Sequence, residues 1–291
     1  MLLKGFFSKK ARSHISLYLA NNRIAICHIE NGIVELLDQE SIASESQWVT
    51  VFTAFVKQYQ LQNSEVSVVL SRDFYQTFNI EKPNVEDNEL LASLPFAIKD
   101  LVSDSIFDLV VDYYDRPMQR HSKQITTVCV ARTKIIKIRD MVLNAKLKLK
   151  NITIEELSIT RLLGNSEEAN ILLSQSNNDL ILTVVKNAQP YFSRRLRGLG
   201  AQLAMQSQQS EIVLVEELSL EIQRVLDYIN SQLNITKIDH LYLALNCADI
   251  HLLINELNNY LSINLASFGD VQQYDFDNLS AYGPLIEEQS A

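Results

Sequence analysis

The order of hydrophobic periodicities constrains this chain more than any single motif, because the same order occurs twice. Ile15, Leu17 and Leu19 alternate with polar residues, and Ile24 and Ile26 repeat the alternation beyond an Asn21-Asn22 turn pair. Asn31-Gly32 marks a second hairpin, since both residues tolerate a positive φ, and Ile33–Leu37 supplies a third strand. Trp48, Val51, Phe52, Phe55, Val56 and Tyr59 then recur at helical spacing as one apolar stripe. Val66–Leu70 is an unbroken apolar run, the pattern of a buried parallel strand. This unit reads βββαβ. Near the end, Asn170–Leu173, Leu180–Val185 and Tyr191–Leu196 make three strands, the last two joined by Asn187-Ala188-Gln189-Pro190. Leu218, Ile222, Val225, Leu226, Ile229 and Leu233 stripe a long helix, with Glu221 and Arg224 spaced to pair. Ile238–Leu245 is a buried strand, Ile250, Leu253, Ile254 and Leu257 mark a helix, and Ile263–Ala266 a final strand. The second unit reads βββαβαβ. A repeated element order predicts two α/β lobes with a cleft between them.

The stretch between the units differs in character. Phe74–Ile80 reads as a strand ended by Pro83, and Val85–Leu94 as a short helix closed by Pro95. Ile106–Tyr114 and Ile125–Ala131 read as a strand pair joined by a polar loop around Pro117–Lys123. Ile135, Ile138, Val142 and Ala145 stripe a further helix. Ile152–Ile154 and Leu157–Leu163 return as strand and helix. The expected organisation is an N-terminal amphipathic segment (1–12), a first lobe (13–71 with 149–168), an inserted α/β subdomain (72–148) and a second lobe (169–291).

Composition narrows the chemistry. Glycine is scarce, 7 residues in 291, where an average composition would give roughly 20. The turns that a phosphate-binding α/β fold fills with glycine read Ala20-Asn21-Asn22, Ser174-Gln175-Ser176 and Leu245-Asn246-Cys247. A Cβ at such a turn blocks the close approach of backbone N–H groups to phosphate. The formal net charge of −9 argues against nucleic-acid binding, which needs a basic surface. No apolar run approaches the ~20 residues of a membrane span, and Met1–Arg12 lacks the apolar core of a secretory signal. A cytosolic protein is expected. Cys27, Cys129 and Cys247 lie far apart, in or beside apolar runs, and read as buried reduced thiols. His14, His28, His121, His240 and His251 show no metal-ligand spacing. Asp112 and Asp115, at the end of a strand, read as a solvated turn. No nucleophile or nucleotide motif is present.

Several stretches carry a resemblance. The βββαβ repeat with an insertion in the first lobe resembles the actin-like ATPases. Leu94-Pro95-Phe96 followed by Asp108–Tyr113, then Glu155–Ile159, Phe192–Arg195, and above all Glu221-Ile222-Gln223-Arg224-Val225-Leu226-Asp227-Tyr228, are similar to passages of the PilM family of type IV pilus assembly. The small size and missing glycines resemble its MSHA-pilus branch and the degenerate cytoplasmic part of GspL from type II secretion. The resemblance implies an actin-like, ribonuclease H-like fold of duplicated βββαβα lobes. It also implies that the loops at Ala20–Asn22, Ser174–Ser176 and Leu245–Asn246 are phosphate and adenosine loops that have lost their aspartates and glycines. The second-lobe helical insertion is expected to be missing, because Gly200–Ser210 is short.

Without those aspartates, Mg²⁺ and phosphoryl transfer lose their support. The expectation is no catalytic residue, no metal and no cofactor, with retained Mg·ATP as a structural cofactor or switch the alternative. The resemblance further implies a partner. In the family, a groove at the inserted subdomain takes the cytosolic tail of a bitopic inner-membrane assembly protein of the PilN/MshJ kind. Carried over, Leu94, Phe96, Ile98 and Leu101 lie near that groove. Met1–Arg12 interleaves Leu2, Leu3, Phe6 and Phe7 with Lys4, Lys9, Lys10 and Arg12, as a membrane-surface anchor does; the expected location is peripheral to the inner membrane.

Overall fold

The computed structural model describes residues 13–117, 123–176, 178–203, 208–269 and 274–286, with side chains from 213 onward in the helix that starts at Gln208. The Met1–Arg12 segment lies outside the described residues. So do 118–122 of the loop expected at Pro117–Lys123 and 204–207 of the shortened second-lobe connection.

Strands β1 (His14–Leu19), β2 (Arg23–Glu30) and β3 (Ile33–Ser41) form an antiparallel meander, and helix α1 (Trp48–Gln58) crosses to β4 (Glu65–Leu70). β4 pairs parallel with β1, Leu17 opposite Val68. The chain then makes β5 (Tyr75–Glu81), α2 (Asp87–Ala97), β6 (Leu109–Asp115), β7 (Gln124–Ala131) and α3 (Arg132–Asn144). β5, β7 and β6 form a separate antiparallel sheet. β8 (Lys148–Ile154) returns to the first sheet, parallel to β4, giving the order β3-β2-β1-β4-β8. Helix α4 (Glu155–Leu163) leads to β9 (Ala169–Ser176), β10 (Asp179–Lys186) and β11 (Gln189–Leu196). Helices α5 (Leu199–Leu203) and α6 (Gln208–Leu233) precede β12 (Ile238–Ala244), α7 (Ile250–Asn258) and β13 (Leu265–Ser267). The second sheet is ordered β11-β10-β9-β12-β13 and repeats the first in order and strand direction.

Each sheet buries one face under its own helices. Ile15, Leu17 and Leu19 point to the side packed by Trp48, Phe52, Ile138 and Val142. Ile171 and Leu173 do the same beneath Leu218, Ile222 and Leu257. The other face of β1 is buried as well. Tyr18 and Ala20 pack with Leu172 of the second lobe and with Phe276, Leu279 and Tyr282. Phe276 and Leu279 belong to the 3-10 turn Phe276–Ala281, and Tyr282 joins it to a second, Gly283–Leu285, the two running between the lobes. Gly283 is required there: a Cβ would overlap the carbonyl oxygen and Oγ of Ser158 on α4.

Four local expectations change. Pro95 lies inside α2 and does not close it. It removes one donor near the end of the helix, and Ile98 N–H still bonds the Leu94 carbonyl at 3.2 Å. Ile106–Asp108 is a 3-10 turn and the strand begins at Leu109. Ser174–Ser176 are not a turn; they are the last residues of β9, paired with Asp179–Ile181. Of the four residues expected to join β10 and β11, only Asn187 and Ala188 turn, at φ 51° and 54°, while Gln189 and Pro190 belong to β11.

Candidate functional site

The cleft between the lobes holds a cavity of about 20 Å³, bounded by Tyr18, Arg72 and Glu155-Glu156 from the first lobe, Ser174–Ser176 from the second, and Phe276–Ser280. Of the three expected loops, the second therefore lines the cavity. The third lies beside it: Asn246 N–H donates to Gln175 Oε1 at 3.3 Å, and Leu245 is buried in the second-lobe core. The first is split, with Ala20 buried between the lobes and Asn21 and Asn22 exposed at the β1–β2 turn. None of these eight residues has a positive φ. The turns thus follow ordinary backbone that does not call for glycine.

Apart from Asp277 of the Phe276–Ala281 turn, the charged groups lining the cavity come from the first lobe and the start of its inserted subdomain. β8 ends at Ile154, and the first turn of α4 begins with Glu155 and Glu156, both buried. Carboxylates are favoured at a helix N-terminus. Tyr18 donates to Glu155 Oε1, and the Arg72 backbone N–H to Glu155 Oε2 at 3.2 Å. Tyr75 donates to Glu156 Oε2, and the Arg72 guanidinium meets Glu156 Oε1 at 3.0 Å. Arg72 Nη2 then reaches across the cleft and donates to Ser193 Oγ on β11. Thr183 Oγ1 lies 3.3 Å from the same hydroxyl.

Burial pushes the Glu155 carboxyl above the usual carboxylate range, against the pull of the Tyr18 hydrogen bond. Burial and then the neighbouring carboxylates hold the Tyr18 and Tyr75 hydroxyls well above the usual range, so both remain donors. Burial opposes the Arg72 charge; Glu156, then Tyr75 and Glu155, outweigh it and raise the guanidinium.

These residues do not fit a Mg-nucleotide. A cavity of about 20 Å³ holds a single water. Both carboxylates are committed to tyrosine hydroxyls and Arg72, and among the described residues no group of three or more His, Cys, Asp or Glu could hold a metal. No step of phosphoryl transfer follows from this arrangement.

No protein-family model matches the chain, and no curated protein matches it in sequence. Solved structures do match. The PilM–PilN type IV pilus biogenesis complex is similar with a TM-score of 0.66 at 13% identity, over 94% of this chain and 95% of that one. The cytoplasmic domain of EpsL, an inner-membrane component of the type II secretion system of Vibrio cholerae, gives 0.56 at 13% identity, covering 94% of each chain. A Bacteroides thetaiotaomicron protein of actin-like ATPase fold and unknown function gives 0.52 at 12% identity, over 95% of this chain and 97% of that one. The fold is actin-like.

The four residues expected at a partner groove separate in this actin-like structure. Leu94 and Ile98 are fully buried in the inserted subdomain, Leu94 against Ile125 and Ile98 against Leu109 and Cys129. They are core, because α2 lays this stripe on the β5-β7-β6 sheet. Phe96 and Leu101 face solvent, 62% and 50% exposed, and Leu91 and Phe107 of the same subdomain are exposed as well. Cys27 and Cys129 are buried free thiols, raised by burial to about 12 and about 11, and Cys247 is half-buried and free. Asp112 and Asp115 are exposed. Among the described residues no helix is long and apolar enough to cross a membrane.

Sequence reasoning did not find Tyr18, Arg72 or the Phe276–Leu285 turns. Glu155-Glu156 was visible only as part of a resemblance. The signal was there: two adjacent acids at a strand-to-helix step, preceded by Ile-Thr-Ile, fall where a first helical turn meets the end of a buried strand.

Proposed function

We propose that this protein is a non-enzymatic scaffold of a type IV pilus assembly platform, of the MshI kind in the MSHA branch, cytoplasmic and held near the inner membrane. It docks the cytosolic tail of a bitopic PilN/MshJ-like assembly protein. The observation that carries this reading is the cleft: the site an actin-like ATPase uses for nucleotide is closed around a Tyr18–Glu155 and Arg72–Glu156 network. The likeness to a chain solved in complex with PilN supports the partner class. The docking surface is the outer layer of the inserted subdomain, where Phe96 and Leu101 stand exposed on a stretch that also exposes Asp87, Glu89, Asp100 and Asp104, with Lys99 the one basic residue among them. Apolar anchors in an acidic setting suit a short tail that combines apolar and basic residues.

The test has two arms. Thermal unfolding with and without millimolar Mg·ATP should show no shift; a ligand at 100 times its Kd would add ~2.7 kcal/mol, so a rise of several degrees would overturn the pseudo-ATPase reading in favour of ATP as a structural cofactor. A synthetic basic-apolar tail peptide should bind the wild type and lose at least tenfold in affinity to Phe96→Asp. Equal binding to both proteins would remove the docking surface.

A further inference from the structure

The longest helix of the second lobe has an outer face that its own sheet does not use. α6 runs for 26 residues, Gln208–Leu233, roughly 39 Å at the usual rise per residue. Leu214, Leu218, Ile222, Val225, Ile229 and Leu233 turn inward to the second-lobe core. Val213, Leu220 and Tyr228 are exposed, Leu220 at 59%. Scattered apolar residues are ordinary on a protein surface. These three are not scattered. They recur every second turn of the helix, with Glu217 and Arg224, both exposed, in the turns between them. Positions 213, 217, 220, 224 and 228 alternate steps of three and four residues, the spacing of a narrow helix–helix seam.

The seam reads Val-Glu-Leu-Arg-Tyr, and the order matters. Laid antiparallel on a copy of itself, it sets Val213 against Tyr228 and Glu217 against Arg224, with the two Leu220 side chains meeting at the midpoint of the helix. Laid parallel, it would set glutamate on glutamate and arginine on arginine, and like charges across a seam select against that pairing. The charges are free to re-pair. Glu221 is shared by two arginines, Arg194 of β11 at 2.7 Å and Arg224. Arg224 is the more exposed of the two, so it can turn to another carboxylate while Arg194 still neutralises Glu221, and exchanging exposed pairs costs little. Among the described residues, Glu217 has a neutral partner, the Gln202 amide at 3.1 Å. Tyr228 rests on the Phe192 ring of β11, with 4.8 Å between centroids, which holds that end of the seam on rigid structure.

We infer that the outer face of α6 is a homodimer interface, packed antiparallel on α6 of a second copy about a two-fold axis beside Leu220. A two-fold contact needs a surface that is its own complement. This seam is one: apolar on apolar at the centre and both ends, acid on base between. Helices joined by such seams cross at about 20°, which keeps them in contact over much of their length. On the scaffold reading, a dimer presents two docking surfaces, and two tails anchored in one membrane then hold it with a combined strength that neither has alone.

The experiment is sedimentation velocity of the whole chain from low to high micromolar concentration. The wild type should pass from monomer to dimer. Leu220→Glu puts two carboxylates together on the axis and should weaken association at least about tenfold, as a like-charge contact does. Glu217→Arg alone and Arg224→Glu alone should each weaken it as well. Mixed in equal amounts, those two single variants should associate again, because each copy offers the charge that the other lacks. Thermal unfolding of all three should stay as in the wild type, since the positions face solvent. E217R/R224E should dimerise with itself and not with the wild type, and it stands in where a single variant does not fold. A wild type that stays monomeric throughout would overturn the inference, leaving a different chain as the partner of this face. A dimer untouched by Leu220→Glu would overturn it too, because the contact would lie elsewhere. So would loss in the single variants with no recovery in the mixture, since Glu217 and Arg224 would then not face each other. Tail-peptide binding by Leu220→Glu at wild-type affinity keeps the outcome for the docking surface separate from the outcome for the dimer.

Discussion

The two lobes share a sheet order and strand directions, yet they meet the cleft with different chemistry. The first lobe, with Arg72 and Tyr75 at the start of its inserted subdomain, brings Tyr18, Glu155 and Glu156 and pairs all five among themselves. The second brings short neutral groups, Ser174, Ser176, Thr183 and Ser193. Among the described residues, the Arg72–Ser193 hydrogen bond carries the charged network across to β11. A duplicated scaffold therefore does not imply a symmetric site. The charge balance is closed on one side of the cleft, and the other side meets it with neutral hydroxyls.

Arg72→Met tests this asymmetry hardest. It leaves Glu156 buried with Tyr75 as its remaining partner, and breaking a buried pair costs about 3 kcal/mol or more. Urea unfolding should show that loss; a loss under about 1 kcal/mol would mean that the first lobe does not depend on its own pairing. Gly283→Ala comes next. The added methyl collides with Ser158 on α4, and overpacking of this kind costs about 1–3 kcal/mol. An unchanged midpoint would show that the interlobe turns are only loosely seated. Ser193→Ala removes the second lobe's share of the network and should cost about 1 kcal/mol, the net worth of one hydrogen bond. A cost as large as that of Arg72→Met would reverse the comparison and make the cross-cleft bond the dominant tie.

The pH dependence is smaller and has a definite sign. The Glu155 carboxyl is raised in the folded state, so the folded protein holds that proton more tightly than the unfolded chain. The contribution is full below the unfolded value and is lost as pH rises through the raised folded value. Stability measured from acid toward neutral pH should therefore carry a downward component that Glu155→Gln lacks. Parallel profiles for the two proteins would place the charge elsewhere. The weakest effect compares two hairpins at the same position in the two lobes. β2–β3 turns on Asn31-Gly32 and β10–β11 on Asn187-Ala188, all four residues at positive φ. Ala188→Gly should stabilise by roughly 0.5 kcal/mol, the strain relieved less the added freedom of the unfolded chain. Gly32→Ala should do the opposite.

Much of this was legible in the sequence, and the parts that were not share a cause. Strict alternation placed β1 and β2, the six-residue stripe placed α1, and Asn31-Gly32 placed its turn, because each is a local pattern read over a few residues. Pro95 misled, because a helix in its last turns tolerates one missing donor. Alternation along β1 suggested a half-buried strand, whereas Tyr18 and Ser16 are as buried as Leu17. The cover of Tyr18 comes from Leu172 and from residues about 260 positions away, and no window of sequence contains that information. The same holds for the cleft. Missing glycines were visible one turn at a time, but the closing network joins residues 18, 72, 155 and 193.

The Phe276–Leu285 turns bear on the order in which the molecule is assembled. Arg23 bonds the Asp277 carbonyl and Asn278 Oδ1, and Asn278 in turn donates to Gln39 at 2.8 Å. These contacts join positions more than 230 residues apart, so they belong to the slow, non-local part of folding. On the ribosome, the first sheet must wait with one face uncovered until residues 276–285 have emerged. A polypeptide stalled before that point would present Tyr18, Cys27 and Val69 to chaperones rather than to a finished lobe.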